Sequence, residues 1–447
     1  MILIVAFAIL AIIGGLLDGS WATADIIMVI GAVCYISSFR VPYRLRRRYF
    51  LLCAIVSVGY ILSAYIVSLN FQNNDYFLAL DSVQYTQQVK LQSPDDDYWS
   101  LIFENYFELL DQNTLHEVYV RVVCIFANRF LGGATVFYLT LTHTIFGILA
   151  IAALYRILLE RFNERKSFKY ALLFAFLSPC FYYSSVIIRD IIIVYLFTLG
   201  IEIVLKQFKT KNILWLVALP IIAGGVRLYS GLFMLSFLVV YLMKRWENTK
   251  LRKLIIPIFA VMVVVVLAGG VIDNLIEQTQ EEIQAYQELD AGRAAESGGL
   301  SNMLLGLPPV LKETALFFYS QIMPFPSYPV IGLAKNFTQF YQASLMAIFP
   351  VWWFFIFYMF FILYVFKSCY NKLSISENML ILFAFIFILV NAVQIGVRRI
   401  MPIYPFLYFM SLYCQNFLVA RRDSDSIRKL LVAGYVALIV AYMVIKG

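Results

Sequence analysis

Residues 170–206 read YALLFAFLSPCFYYSSVIIRDIIIVYLFTLGIEIVLK. Two apolar runs, 170–185 and 191–206, flank Arg189-Asp190, and Ser178-Pro179 interrupts the first run. The pattern predicts a helical hairpin in a membrane, although each arm is at or below the ~17-residue lower limit for crossing the hydrocarbon core. Short, Pro-interrupted segments are tolerated where the backbone lines a protein-buried or water-filled cavity. An arginine at membrane depth costs at least ~2.5–3.5 kcal/mol, so Arg189 at the tip calls for a partner or an aqueous cavity.

The same arrangement recurs downstream. Residues 213–228 and 230–243 form a second short hairpin, with Pro220 and Gly224-Gly225 in its first arm and Arg227 at its tip, in AGGVRLYSG. A third arginine site, Arg398-Arg399 in QIGVRRIMP, follows a later span. The tips predict a recessed cavity that gathers arginines at one membrane face. Such a site suits a large anion, most naturally a lipid-linked diphosphate.

Composition agrees with a membrane setting. The chain is 62% hydrophobic and 14% charged over 447 residues, with a mean hydropathy of +0.81. A soluble protein of this size exposes far more charge, so the expected fold is an all-α polytopic integral membrane protein. About thirteen transmembrane helices (about 12–14) are expected, at 2–17, 22–39, 49–69, 134–155, 170–185, 191–206, 213–228, 230–243, 254–271, 343–366, 379–394, 400–419 and 430–445. The run 2–17 lacks a basic flank and a small-residue cleavage site, and reads as a retained helix rather than a signal peptide.

The net charge of +8 is topological. Basic residues fill alternate short connections, for example Arg40 to Arg48, Arg156 to Lys169, Lys206 to Lys211, Lys244 to Lys253 and Arg421 to Lys429. The positive-inside rule makes these cytoplasmic, which accounts for the charge without nucleic acid. Two long segments then lie outside. Residues 70–117 carry nine acidic residues against Lys90, and residues 272–342 carry eight against Arg293, Lys312 and Lys335. The chain therefore divides into membrane helices (1–69), a first external segment (70–133), a membrane core (134–271), a second external segment (272–342) and C-terminal membrane helices (343–447). Within the first external segment, 117–130 reads as a helix on or dipping into the membrane surface. The second opens on a polar helix, 273–291, and ends in the stiff LPPV and PFPSYPV stretches of a cap or lid.

Metal chemistry is not expected. The six cysteines have no CxxC spacing, and His116 and His143 are too few for a histidine site. Asp95-Asp96-Asp97 reads as a solvated loop, and His143, in mid-span, as bonded to a neighbouring helix. The anion-binding roles fall to Arg189, Arg227, Arg398 and Arg399. Arg227→Ala and Arg398→Ala are expected to abolish activity in a protein that still accumulates. A base for a substrate hydroxyl would be Asp81 first and Glu117 second, since a carboxylate beside a membrane cavity has its pKa raised toward neutrality. Tyr85 and Tyr229 offer aromatic faces to sugar rings or to the membrane interface.

The motif order is also familiar. Asp81 precedes Tyr85 by four residues, and Glu117 and Tyr119 open a helix that ends in Gly132-Gly133. The Arg189-Asp190 tip follows, then the short hairpin, then Arg398-Arg399-Ile-Met-Pro-Ile-Tyr404. In this order the chain, over roughly residues 70–415, resembles the EpsG-like and Wzy-type bacterial polysaccharide polymerases. That family usually has Gln where this chain has Asp190, and often His where it has Arg227-Leu-Tyr229.

The resemblance implies a multi-pass protein of the bacterial cytoplasmic membrane, compatible with a GT-C-like architecture, with its active site facing the exterior or periplasm. It implies transfer of a polyprenyl-diphosphate-linked glycan onto another lipid-linked repeat unit, without a nucleotide sugar or other cofactor. A flippase and a chain-length regulator of the same pathway would be the protein partners. The sequence carries no GxGxxG or Walker A pattern, as this expects. The competing expectations are an O-antigen-ligase-like or polyprenyl-phosphate-sugar-dependent transferase, and a lipid-linked glycan transporter.

Overall fold

The computed structural model describes residues 2–75, 77–78, 82–83, 85–86, 115–245, 308–323, 325, 327–392 and 397–446. Among these, every regular element is helical: α1 (Ile2–Asp18), α2 (Trp21–Ser37), α3 (Arg46–Gln72), α4 (Leu115–Phe130), α5 (Val136–Leu159), α6 (Glu164–Leu177), α7 (Pro179–Tyr183), α8 (Asp190–Leu205), α9 (Lys211–Val226), α10 (Leu228–Arg245), α11 (Pro309–Tyr319), α12 (Pro329–Gly332), α13 (Phe337–Val365), α14 (Ile375–Ala392), α15 (Val397–Ile400), α16 (Tyr404–Tyr413) and α17 (Arg421–Lys446). Among the described residues, five helical stretches are long and apolar enough to cross a membrane: Trp21–Arg40, Tyr43–Gln72, Val136–Leu159, Phe337–Val365 and Arg421–Val444. Shorter apolar helices include Lys211–Val226, Leu228–Lys244 and Ile375–Asn391. The described part of the protein is thus all-α and of membrane type. The predicted span at 254–271, the polar helix at 273–291 and the acidic run at 95–97 lie outside the described residues.

Helix α5 is the hub. It is apolar all round, as a helix surrounded by other helices must be, and α2, α3, α6 and α8 pack about it. Gly147 on α5 gives room for Ser184 at the end of α7, which a Cβ there would strike. Ion pairs tie the basic connections together at one end of the bundle. Arg156 forks onto Glu202 at 2.8 and 2.7 Å, Arg161 meets Glu377 at 2.9 Å, and Arg48 meets Glu164 at 2.8 Å. The first of these pairs is buried on both sides.

Two expectations need correction. The arm predicted at 170–185 is not one helix. Ser178 is extended (ψ 161°), so α6 stops at Leu177 and α7 restarts at Pro179. The ring of Pro179 disfavours helical backbone at the residue before it. Nor does α8 fold back on that arm as a simple hairpin; it packs chiefly along α5. The span predicted at 400–419 is likewise composite, with a 3-10 turn at Met401–Ile403, then α16, then a π turn at Cys414–Leu418.

The second hairpin forms as expected, and glycine is what allows it. Helices α9 and α10 cross so closely that a Cβ on Gly231 would lie 2.6 Å from the Gly224 Cα and 2.5 Å from the Pro220 carbonyl oxygen. Both obstacles are backbone, so neither can swing aside. Gly231→Val is expected to destabilise the protein by at least about 1–3 kcal/mol through overpacking. Gly434→Ala, mid-helix with open space around it, should leave stability unchanged or raise it by up to about 1 kcal/mol. Thermal aggregation midpoints in detergent would check both, and equal midpoints would refute the crossing.

Candidate functional site

The site is built at the end of the bundle away from Glu202. Helix α8 begins at Asp190, and its 16 residues span ~24 Å at 1.5 Å per residue. Glu202 and its arginine therefore sit far from Asp190. Asp190 is in the first turn of α8, where a carboxylate faces the partial positive charge of unpaired N–H groups. Arg189 precedes it and is partly buried.

Arg227 is the single residue between α9 and α10. Its extended backbone (φ −162°, ψ 113°) ends α9, while its N–H donates to the Ala223 carbonyl at 2.8 Å. The turn carries its side chain inward, where it is 3% exposed. Arg227 Nη1 donates to Asp190 Oδ1 at 2.5 Å, with Asp190 1% exposed. Asp190 is thus the partner of Arg227, not of its sequence neighbour Arg189. The Arg227 guanidinium also lies 5.3 Å from the centroid of the Tyr229 ring, within cation–π range.

The third arginine site arrives with the 3-10 turn Met401–Ile403, which packs on α8. Arg398 on α15 comes within electrostatic reach of both Asp190 and Arg227. Arg189 reaches the same carboxylate, and Tyr85 and Tyr229 lie within reach of Arg189. Arg399 is buried on the same short helix as Arg398. Three guanidiniums drawn from three distant chain segments therefore converge on one carboxylate. A cluster of guanidiniums of this kind suits a multiply charged anion.

A second group stands beside the arginines. Helix α4 begins at Leu115, which packs against Gly225 of α9, and so brings His116 into the site. His116 and His143 are both 0% exposed, and their Nε2 atoms are 2.8 Å apart. The Tyr85 ring stands edge-on to His116, with centroids 4.5 Å apart. The Tyr119 hydroxyl donates to the Thr142 carbonyl at 3.1 Å and helps hold α4 on α5. Three polar atoms around this site, His116 Nδ1, Tyr229 Oη and Ser230 Oγ, are buried without a hydrogen-bond partner. Leaving a buried polar group unpaired costs about 1–3 kcal/mol, so such atoms call for a ligand or water to satisfy them.

Of the residues predicted for the site, Arg189, Arg227, Arg398, Tyr85 and Tyr229 are brought together. Glu117 is half-buried on α4, one residue past His116. Asp81 lies outside the described residues. Sequence reasoning passed over Asp190 as an anchor and the His116–His143 pair as a unit. The one available signal was that the chain's only histidines both lie in apolar surroundings. No group of three or more His, Cys, Asp or Glu side chains that could hold a metal ion occurs among the described residues.

A small apolar gap lies further along the same helix. Phe197 and Ile201 of α8 line it with Phe233 and Phe237 of α10 and Phe383 and Phe387 of α14. Phe197 is seven residues past Asp190, ~10 Å along the helix. Set against protein-family models, curated proteins and solved structures, the chain matches none.

Proposed function

We propose that the protein is a membrane glycosyltransferase that polymerises polyprenyl-diphosphate-linked oligosaccharide repeat units on the outer face of a bacterial cytoplasmic membrane. The observation that carries this reading is the gathering of Arg189, Arg227 and Arg398 around Asp190. A lipid diphosphate has the matching chemistry: a multiply charged head for the guanidiniums and a hydrocarbon chain that the surrounding membrane accommodates. Arginine binds phosphate oxygens in a planar fork and stays charged whatever its surroundings. As the sugar departs from the diphosphate, negative charge grows on the leaving oxygen. Preorganised cations stabilise that charge most where water is excluded. A monophosphate donor would need fewer arginines than this site collects.

Lipid-linked glycans of a host strain lacking the gene, complemented with wild type or Arg398→Ala, test the reading. Wild type should restore long polymer. Arg398→Ala should leave single repeat units on the outer face, with polymer down about 10²-fold, the usual cost of losing one charge-stabilising donor. Accumulation of repeat units on the inner face in the deletion strain would indicate a flippase and sink the proposal.

A further inference from the structure

The hydrogen-bond chain through the two histidines has a direction. His143 Nδ1 is 3.0 Å from the Leu139 carbonyl oxygen, which can only accept, so His143 carries its proton on Nδ1. With its proton on Nδ1, a neutral His143 presents a bare Nε2. The 2.8 Å contact requires His116 to donate its Nε2 proton there. A neutral His116 is left with a lone pair on Nδ1, and that is the atom without a hydrogen-bond partner. The relay thus runs from His116 through His143 to a fixed backbone oxygen, and delivers a proton-accepting atom next to the arginines. This resembles the way a second group sets the tautomer of a catalytic histidine in hydrolases.

We infer that His116 is the general base that takes the proton of the acceptor sugar hydroxyl, with His143 as the positioning residue that fixes its tautomer. This deepens the function proposed above and rests on it. In the step, the acceptor oxygen forms a bond to the anomeric carbon of the donor as the bond from that carbon to the diphosphate oxygen breaks. The bonding electrons leave with the polyprenyl diphosphate, whose charge Arg189 and Arg227 receive. The hydroxyl proton goes to His116 Nδ1 and later to water.

The arginines also set when the base is active. Helix α4 lies outside the predicted membrane spans. Burial first, then His143, Arg189 and Arg227, hold the His116 imidazole well below its usual range. Among the described residues, Tyr85 also stands against its ring, and Glu117 and Tyr119 lie on its own helix. When a diphosphate neutralises the guanidiniums, their repulsion of an imidazolium is relieved and His116 becomes a stronger base. Binding of the donor therefore switches on the group that deprotonates the acceptor.

The test uses the full chain in lipid nanodiscs, with lipid-linked repeat units extracted from the deletion strain as substrate. His116→Gln keeps an N–H for His143 and removes the base. Its kcat should fall about 10²–10⁴-fold with KM within about twofold. The wild-type acid limb should lie at higher pH in kcat than in kcat/KM, because the first reports the substrate-bound enzyme. His143→Gln should lower kcat less and move the acid limb. A His116→Gln enzyme within about threefold of wild type, with its acid limb unchanged, overturns the inference alone. If His116→Gln does not accumulate, the wild-type profile decides: coincident acid limbs, or none, overturn it. A wild-type protein that makes no polymer overturns the proposed function and this inference with it.

Discussion

Arg227→Ala is expected to cost the protein up to about 3–5 kcal/mol of stability as well as its activity, because buried Asp190 loses the guanidinium that hydrogen-bonds it and keeps only the more distant Arg189 and Arg398. This departs from the sequence expectation, in which Arg227→Ala accumulated normally and lost only activity. A tip arginine in a cavity would be dispensable to the fold. An arginine 3% exposed and 2.5 Å from a buried aspartate is not. The two roles can be separated. Replacing both partners by apolar residues, Arg227→Met with Asp190→Leu, removes the stranded charge, and such exchanges are often neutral or stabilising. The double variant should recover part of the stability that Arg227→Ala loses, since Arg189 and Arg398 are left without their nearby carboxylate, yet make no polymer. Polymer from the double variant would show that the ion pair is structural only. A double variant as unstable as Arg227→Ala would show that the pair is not what holds this corner together.

Arg189→Ala should give the opposite pattern, with turnover down about 10²–10³-fold in a protein of nearly normal stability. Arg189 is partly exposed and makes no ion pair with a described residue, since Asp190 is engaged by Arg227. Its charge is therefore available to a ligand at little cost to the fold. Arg189→Lys keeps the charge and loses the planar fork, and should recover part of the rate, about tenfold short of wild type. A membrane extract assayed for both polymer length and protein level distinguishes the cases. Normal turnover by Arg189→Ala would remove it from diphosphate binding. A collapse in protein level would make it a second structural arginine.

Much of the architecture was legible in the sequence, for reasons that are local. Hydrophobic length and the alternation of basic connections report directly on what each segment can bury, so helices stand at twelve of the thirteen positions where apolar runs predict spans, the thirteenth (254–271) lying outside the described residues. The connections read as sharing one side are joined by the Arg156–Glu202 and Arg161–Glu377 pairs. The break at Ser178 was visible as Ser178-Pro179, but its consequence was not. Whether an apolar chain restarts after a proline in the same direction depends on what α5 and α13 leave room for.

The sequence by itself determined the helical membrane class, the three arginine sites and the short glycine-crossed hairpin. These follow from transfer energies and backbone sterics that act within a few residues. Only the tertiary structure decided which charge meets which. Asp190 adjoins Arg189 in the chain yet binds Arg227, 37 positions away, and His116 meets His143 across two helices. Pairing between buried polar groups is set by which helix faces touch, and every apolar face along a membrane helix looks alike in sequence. The residues that carry the most chemistry here were named in the sequence, and their partners were chosen by packing.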